Sequence, residues 1–161
     1  MIEMNIKGII VDPATAVPIV ILMNEEKNLV FPLFIGPFEA NAIAIELKGL
    51  KAPRPLTHDV LVKFLLIHGI KMKYLYIYNV FEDMYFAKIV YRKGFRNYKM
   101  ELRPSDGIAV ALRMKAPIFV EERVIQSNVR YEESIELFDQ VVSEDASLLF
   151  INNDRISDCL M

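Results

Sequence analysis

The sequence predicts an α+β domain: a mixed, largely antiparallel sheet with helices packed against it. Three observations carry this expectation. Strand-like and helix-like runs come in blocks and do not alternate strictly. A length of 161 residues with 53% hydrophobic content suits one packed core. Among apolar runs, even the longest candidate, Val17 to Met23 with Pro18 inside it, falls far short of the roughly 18 residues that span a bilayer.

Met4 to Val11, Val17 to Met23 and Leu29 to Ile35 are β-rich runs separated by Asp12-Pro13-Ala14-Thr15 and Asn24-Glu25-Glu26-Lys27-Asn28. Those punctuating residues read as turns, so the three runs form an antiparallel meander. Gly36-Pro37-Phe38-Glu39 then starts an Ala/Ile-rich helix to about Leu50, with Pro37 at its first position. A second helix runs from Thr57 to Ile67 and stops at His68-Gly69. Ile70 to Phe81, Met84 to Arg92 and Phe95 to Leu102 read as strands around Glu82-Asp83 and Lys93-Gly94. A helix from Arg103 to about Met114, a strand Pro117 to Val120 and a helix near Glu132 to Val142 complete the chain.

The prediction is a domain over residues 1–126 and an acidic, partly helical extension over residues 127–161. Net charge is −2, but residues 1–120 balance at +5 and residues 121–161 at −7. That acidic total argues against a generic nucleic-acid coat. The N-terminus shows no secretory pattern, and the single Cys159 fits a reducing compartment, so a cytoplasmic location without membrane contact is expected. Hydrophobic content above the usual 45 to 50% also predicts a homo-oligomer, a dimer or larger, with an apolar patch between Met72 and Val90.

Two motifs stand out: Arg54-Pro55-Leu56-Thr57-His58-Asp59 and Arg103-Pro104-Ser105-Asp106-Gly107. Taken singly, each is a helix start, because Pro suits the first turn and an acid there complements the helix dipole. Their recurrence supports a second reading, one shared site in which guanidinium, hydroxyl and carboxylate bind an anion or hold a metal. A fainter echo links Ile35-Gly36-Pro37-Phe38-Glu39 to Leu102-Arg103-Pro104-Ser105-Asp106, each leading into a small-residue helix closed by Lys-Ala-Pro. If the echo is an internal strand-helix duplication, Glu39 and Asp106 are equivalent and two helix N-termini face one another.

With these residues in view, the chain resembles the bifunctional nuclease domain family over about residues 3 to 126. The match rests on Gly36, Glu39, the two Arg-Pro motifs, Ile108-Ala109-Val110-Ala111 and Ala116-Pro117-Ile118-Phe119-Val120. Gly107 departs from it, standing where many members have Ala. The resemblance implies an α+β fold, self-association and nuclease activity on DNA or RNA, with no established catalytic set to carry over.

A hydrolytic nuclease must activate water and stabilise charge at phosphorus, commonly with carboxylates around a divalent metal such as Mg or Mn. Glu39, Asp59 and Asp106 are the candidate catalytic carboxylates, and His58 a candidate base or ligand. Arg54, Thr57, Arg103 and Ser105 are candidate substrate contacts. No His-x-Glu or Cys-x-x-Cys signature defines a metal site. Lys88, Arg92, Lys93, Arg96 and Lys99, interleaved with Tyr91, Phe95 and Tyr98, either hold a nucleic-acid strand or form a solvated hairpin face. Neutralising five phosphates there predicts a log-log salt slope of about −3.5 to −4.5. The alternative function is a non-catalytic oligomeric binding or regulatory module whose motifs fix the fold or hold an anion or protein partner.

Overall fold

The computed structural model describes residues 1–127 and residue 136. Turn chemistry sets its first layer. The Asp12 carboxylate accepts the Ala14 N–H at 3.0 Å and the Thr15 hydroxyl, folding β1 (Ile2–Val11) back onto β2 (Pro18–Asn24). The Asn24 side chain accepts the Lys27 N–H at 2.8 Å and Asn28 adopts a φ of +50°, bringing β3 (Leu29–Phe34) antiparallel to β2. Pro37 then starts α1 (Pro37–Leu47), which ends three residues before the expected Leu50 because Gly49 turns left-handed at φ +63°.

After α2 (Thr57–Ile67), Gly69 takes φ +68° and releases the chain into β4 (Ile70–Phe81). Glu82 and Asp83, at φ +47° and +60°, form the mirror-image turn whose twist matches the strands, leading into β5 (Met84–Lys93). Then follow β6 (Arg96–Leu102), α3 (Pro104–Met114), β7 (Ile118–Val120) and α4 (Glu122–Gln126), the last not anticipated from sequence. The helix expected near Glu132 to Val142 lies outside the described residues, Glu136 apart.

The strands form one mixed sheet in the order β3-β2-β1-β7-β4-β5-β6. The chain therefore runs twice through three antiparallel strands and a Pro-started helix, and the echoed segments are the two strand-to-helix corners that end these runs. Short β7 joins the halves, antiparallel to β1 and parallel to β4. Phe31 of β3 meets Tyr85 of β5 edge-on at 5.4 Å, although four strands separate them in the sheet. Accumulated strand twist thus curls the sheet around its own core. Met4, Leu22, Phe31, Leu75, Ile77 and Ile89 fill that core against Ile43 of α1 and Ile108 of α3. Among the described residues, no helix is long and apolar enough to cross a membrane.

Candidate functional site

Three helices begin side by side with an acid at their third position: Glu39 in α1, Asp59 in α2 and Asp106 in α3. An acid there is stabilised by the partial positive charge of the first turn. What each acid touches separates their roles.

Arg103 caps α3 and lies between two of them. Its Nε–H donates to Asp106 Oδ2 at 2.7 Å, while Nη2 donates to Asp106 Oδ1 at 3.1 Å and to Glu39 Oε1 at 2.7 Å. The hydrogen bonds that Arg103 donates to Asp106, then the charges of Asp106 and Glu39, push the Arg103 pKa above its ordinary value. Nη1 has no partner among the described residues, and 67% of the side chain is exposed. The guanidinium is therefore anchored on one side and open on the other.

His58 of the first motif reaches Asp106 of the second: His58 Nε2 lies 3.2 Å from Asp106 Oδ1. With the Asp106 carboxylate as acceptor, Nε2–H is the donor; in the neutral ring Nδ1 is then an acceptor, and it has no partner among the described residues. Both side chains are mostly buried. His58, Asp106, Arg103, Glu39, Thr57, Asn41 and Phe38 line one cavity of about 380 Å³.

Asp59 faces elsewhere. Its Oδ2 accepts the Leu56 N–H at 2.8 Å and its Oδ1 accepts Arg113 Nε–H at 2.6 Å. Burial pushes the carboxyl up, but the Arg113 and Leu56 hydrogen bonds outweigh it and hold Asp59 below the usual carboxylate value. Arg113, 5% exposed, also donates from Nη1 to Ala109 O at 3.0 Å and from Nη2 to Ala42 O at 3.1 Å, tying all three helices together. Sequence reasoning missed Arg113. Its signal was a single charge in the apolar run Ile108 to Met114.

The other candidates stand apart from this cavity. Arg54 is exposed and pairs with none of the described residues. Ser105 is buried and lines a neighbouring groove. Arg92, Lys93 and Arg96 sit at the β5-β6 turn, and β6 is seven residues long. At the usual rise, that turn is about 20 Å from the start of α3.

No three His, Cys, Asp or Glu side chains are grouped to hold a metal among the described residues. The space between Glu39 and Asp106 is spanned by the Arg103 guanidinium. This donor set does not fit a metal ion with three protein ligands.

Glu39 depends on its neighbour Gly36, where an added Cβ would lie 2.3 Å from Glu39 Oε2. Gly36→Ala is expected to push that carboxylate off Arg103 and cost about 1 kcal/mol. In a Glu39→Ala background the same change should cost nothing, a non-additivity that denaturant titration of the four proteins measures.

A curled sheet with an anchored guanidinium and a His-Asp pair at its clustered helix starts defines an α+β domain with a charged cavity between helices. Residues 20–133 match the profile of the bifunctional nuclease domain, and the chain belongs to that family. A Mycobacterium tuberculosis protein named as uncharacterized is 37% identical over 123 residues, which cover 76% of this chain and 73% of that protein. "Bifunctional nuclease 1" of rice, Oryza sativa subsp. japonica, is 25% identical over 73% of this chain and 36% of its own length. "Bifunctional nuclease 1" of Arabidopsis thaliana is 25% identical over 92% of this chain and 46% of its own length. The chain spans less than half of either plant protein.

Proposed function

We propose that this chain hydrolyses phosphodiester bonds of DNA or RNA in the cavity at the three helix starts. The observation that carries the reading is the His58-Asp106 pair beside the open side of Arg103. His58 Nδ1 takes a proton from water, whose oxygen bonds to phosphorus as the P–O bond to the leaving group breaks. Solvent protonates the leaving oxygen. Asp106 orients the imidazole and balances the charge that it gains. Arg103 Nη1 meets the charge that develops on the non-bridging oxygens. Glu39 and Asp106 hold the guanidinium in place, and Asp59 is a positioning residue that acts through Arg113. A cytoplasmic setting and a homo-oligomer belong to the same proposal. Oligomer contacts have apolar candidates in Phe81, Met84 and Phe86 at the β4-β5 turn and in Val60, Phe64 and Ile67 on α2.

The test is cleavage of labelled DNA and RNA by highly purified protein, with and without EDTA, beside Asp106→Ala. Cleavage that survives EDTA and disappears in the variant supports the mechanism as written. Cleavage abolished by EDTA and restored by added Mg or Mn assigns the charge stabilisation to a divalent metal and overturns Arg103 as its main source. One observation favours the second reading, a non-catalytic binding or regulatory module: Glu39, Asp59 and Asp106 all have arginine partners already. Anion binding without cleavage selects that reading.

Nucleic-acid binding through the β5-β6 hairpin has its own prediction. In the strand register, Lys88, Arg92 and Lys99 share one face, whereas Lys93 and Arg96 pair on the other. A strand on the first face neutralises three phosphates, giving a log-log salt slope of about −2 to −3. Wrapping of both faces gives the steeper five-phosphate slope, and titration from 50 to 300 mM salt separates the two.

A further inference from the structure

Beside the polar cavity lies a second, larger groove of about 740 Å³, and Arg103 lines both. It exists because β6 stops at Leu102, opposite Ala87, so that Met84 to Phe86 of β5 project beyond it and face the end of β3. The walls are apolar and aromatic, with Leu33, Phe34, Met84, Tyr85 and Phe86 along them. Asp83 and Glu101 are the acids on its lining, and Arg103 its cation.

We propose that this groove seats an unpaired nucleobase of the strand whose phosphate lies at Arg103. The inference rests on the phosphodiester reading above and adds the substrate class: single-stranded nucleic acid. Charge decides which part of a nucleotide enters. Two carboxylates repel a phosphate, so the anion stays on the open side of Arg103 and the uncharged base takes the groove. Size agrees, since small-ligand sites run from about 300 to 1,000 Å³. Aromatic walls bind a base through its face, which neighbouring pairs cover in a duplex and which a single strand leaves free. One guanidinium lining both spaces provides the short step from a phosphate to its own base.

The experiment is equilibrium binding of two fluorescent octamers of equal charge, oligodeoxythymidylate and its abasic counterpart, to the full chain at low salt. Intact octamer at the end of each titration confirms that binding alone is measured. Wild type is expected to prefer the base-bearing strand by about 5- to 100-fold. Phe86→Ala should remove most of this preference and leave abasic binding unchanged. Met84→Ala, at a more exposed position, should lower it less. Equal affinity for the two octamers in wild type overturns the proposal, as does a preference untouched by both variants. A drop in oligomer mass in Phe86→Ala with the preference intact also overturns it and makes this face a contact between copies. Preference without hydrolysis leaves the subsite standing and removes only the catalytic reading, whereas hydrolysis without preference removes the subsite alone.

Discussion

Arg113→Ala is expected to lower the free energy of unfolding by about 3 kcal/mol, the largest stability effect of any single change at the site. The Arg113 side chain is 5% exposed and serves acceptors on three helices: Asp59 of α2, the Ala42 carbonyl of α1 and the Ala109 carbonyl of α3. Removing it strands a partly buried carboxylate and two carbonyls, so the cost is that of broken charge-assisted bonds plus desolvated acceptors. Arg113→Lys should recover little, because one ammonium cannot reach three acceptors along the planar fork of a guanidinium. Urea unfolding followed by circular dichroism reads the change, and a loss under about 1 kcal/mol would remove Arg113 as the tie between helices.

The same pair gives stability a defined acid dependence. Asp59 has a folded pKa below its ordinary value, so its folded state binds the proton more weakly than the unfolded chain does. Its contribution is complete above the unfolded carboxylate value of about 3.9 and is lost as pH falls through the lower folded value. In Arg113→Ala that acid-linked contribution should shrink, which unfolding midpoints between pH 2.5 and 6 would show.

His58→Ala is expected to reduce phosphodiester cleavage by about 10²- to 10⁴-fold, the range for loss of a positioned general base. Imidazole added to the buffer should restore part of the rate in this variant. A residue that served only to hold α2 in place would show no such rescue. Asp106→Asn keeps the shape of the side chain but weakens both the His58 orientation and the Arg103 anchor. It should lower the rate without being rescued by imidazole. Unchanged cleavage in His58→Ala would end the case for His58 as the base.

The first segment of the fold was legible from its turn formers. Asp12-Pro13-Ala14-Thr15 and Asn24 to Asn28 carry side chains that close turns locally, so the meander needed no tertiary information. Pro37 and Pro104 marked helix starts for the same reason. Short β7 was recognisable as a strand, but its place in the centre of the sheet was not, because which edges pair depends on contacts far apart in sequence. α4 was missed since Glu122 to Gln126 is too short for helical periodicity to register.

For the site, residue type and spacing determined by themselves that a helix starts within each Arg-Pro motif with an acid in its first turn, although only Pro104 occupies a first helical position and Pro55 stands before the Leu56 cap. That pattern follows from the backbone donors left open at any helix start, a local property. Whether those acids work together was a matter of where three helices end up in space. Only the tertiary structure put Asp106 against His58 and Glu39 against Arg103, and turned Asp59 toward Arg113 in the last turn of α3. Three acids with the same local signal thus diverge in role, because a carboxylate's chemistry is set by the cation or imidazole packed against it. That partner, 48 to 64 residues away in the chain, arrives only when the sheet curls and packs the three helices against one another.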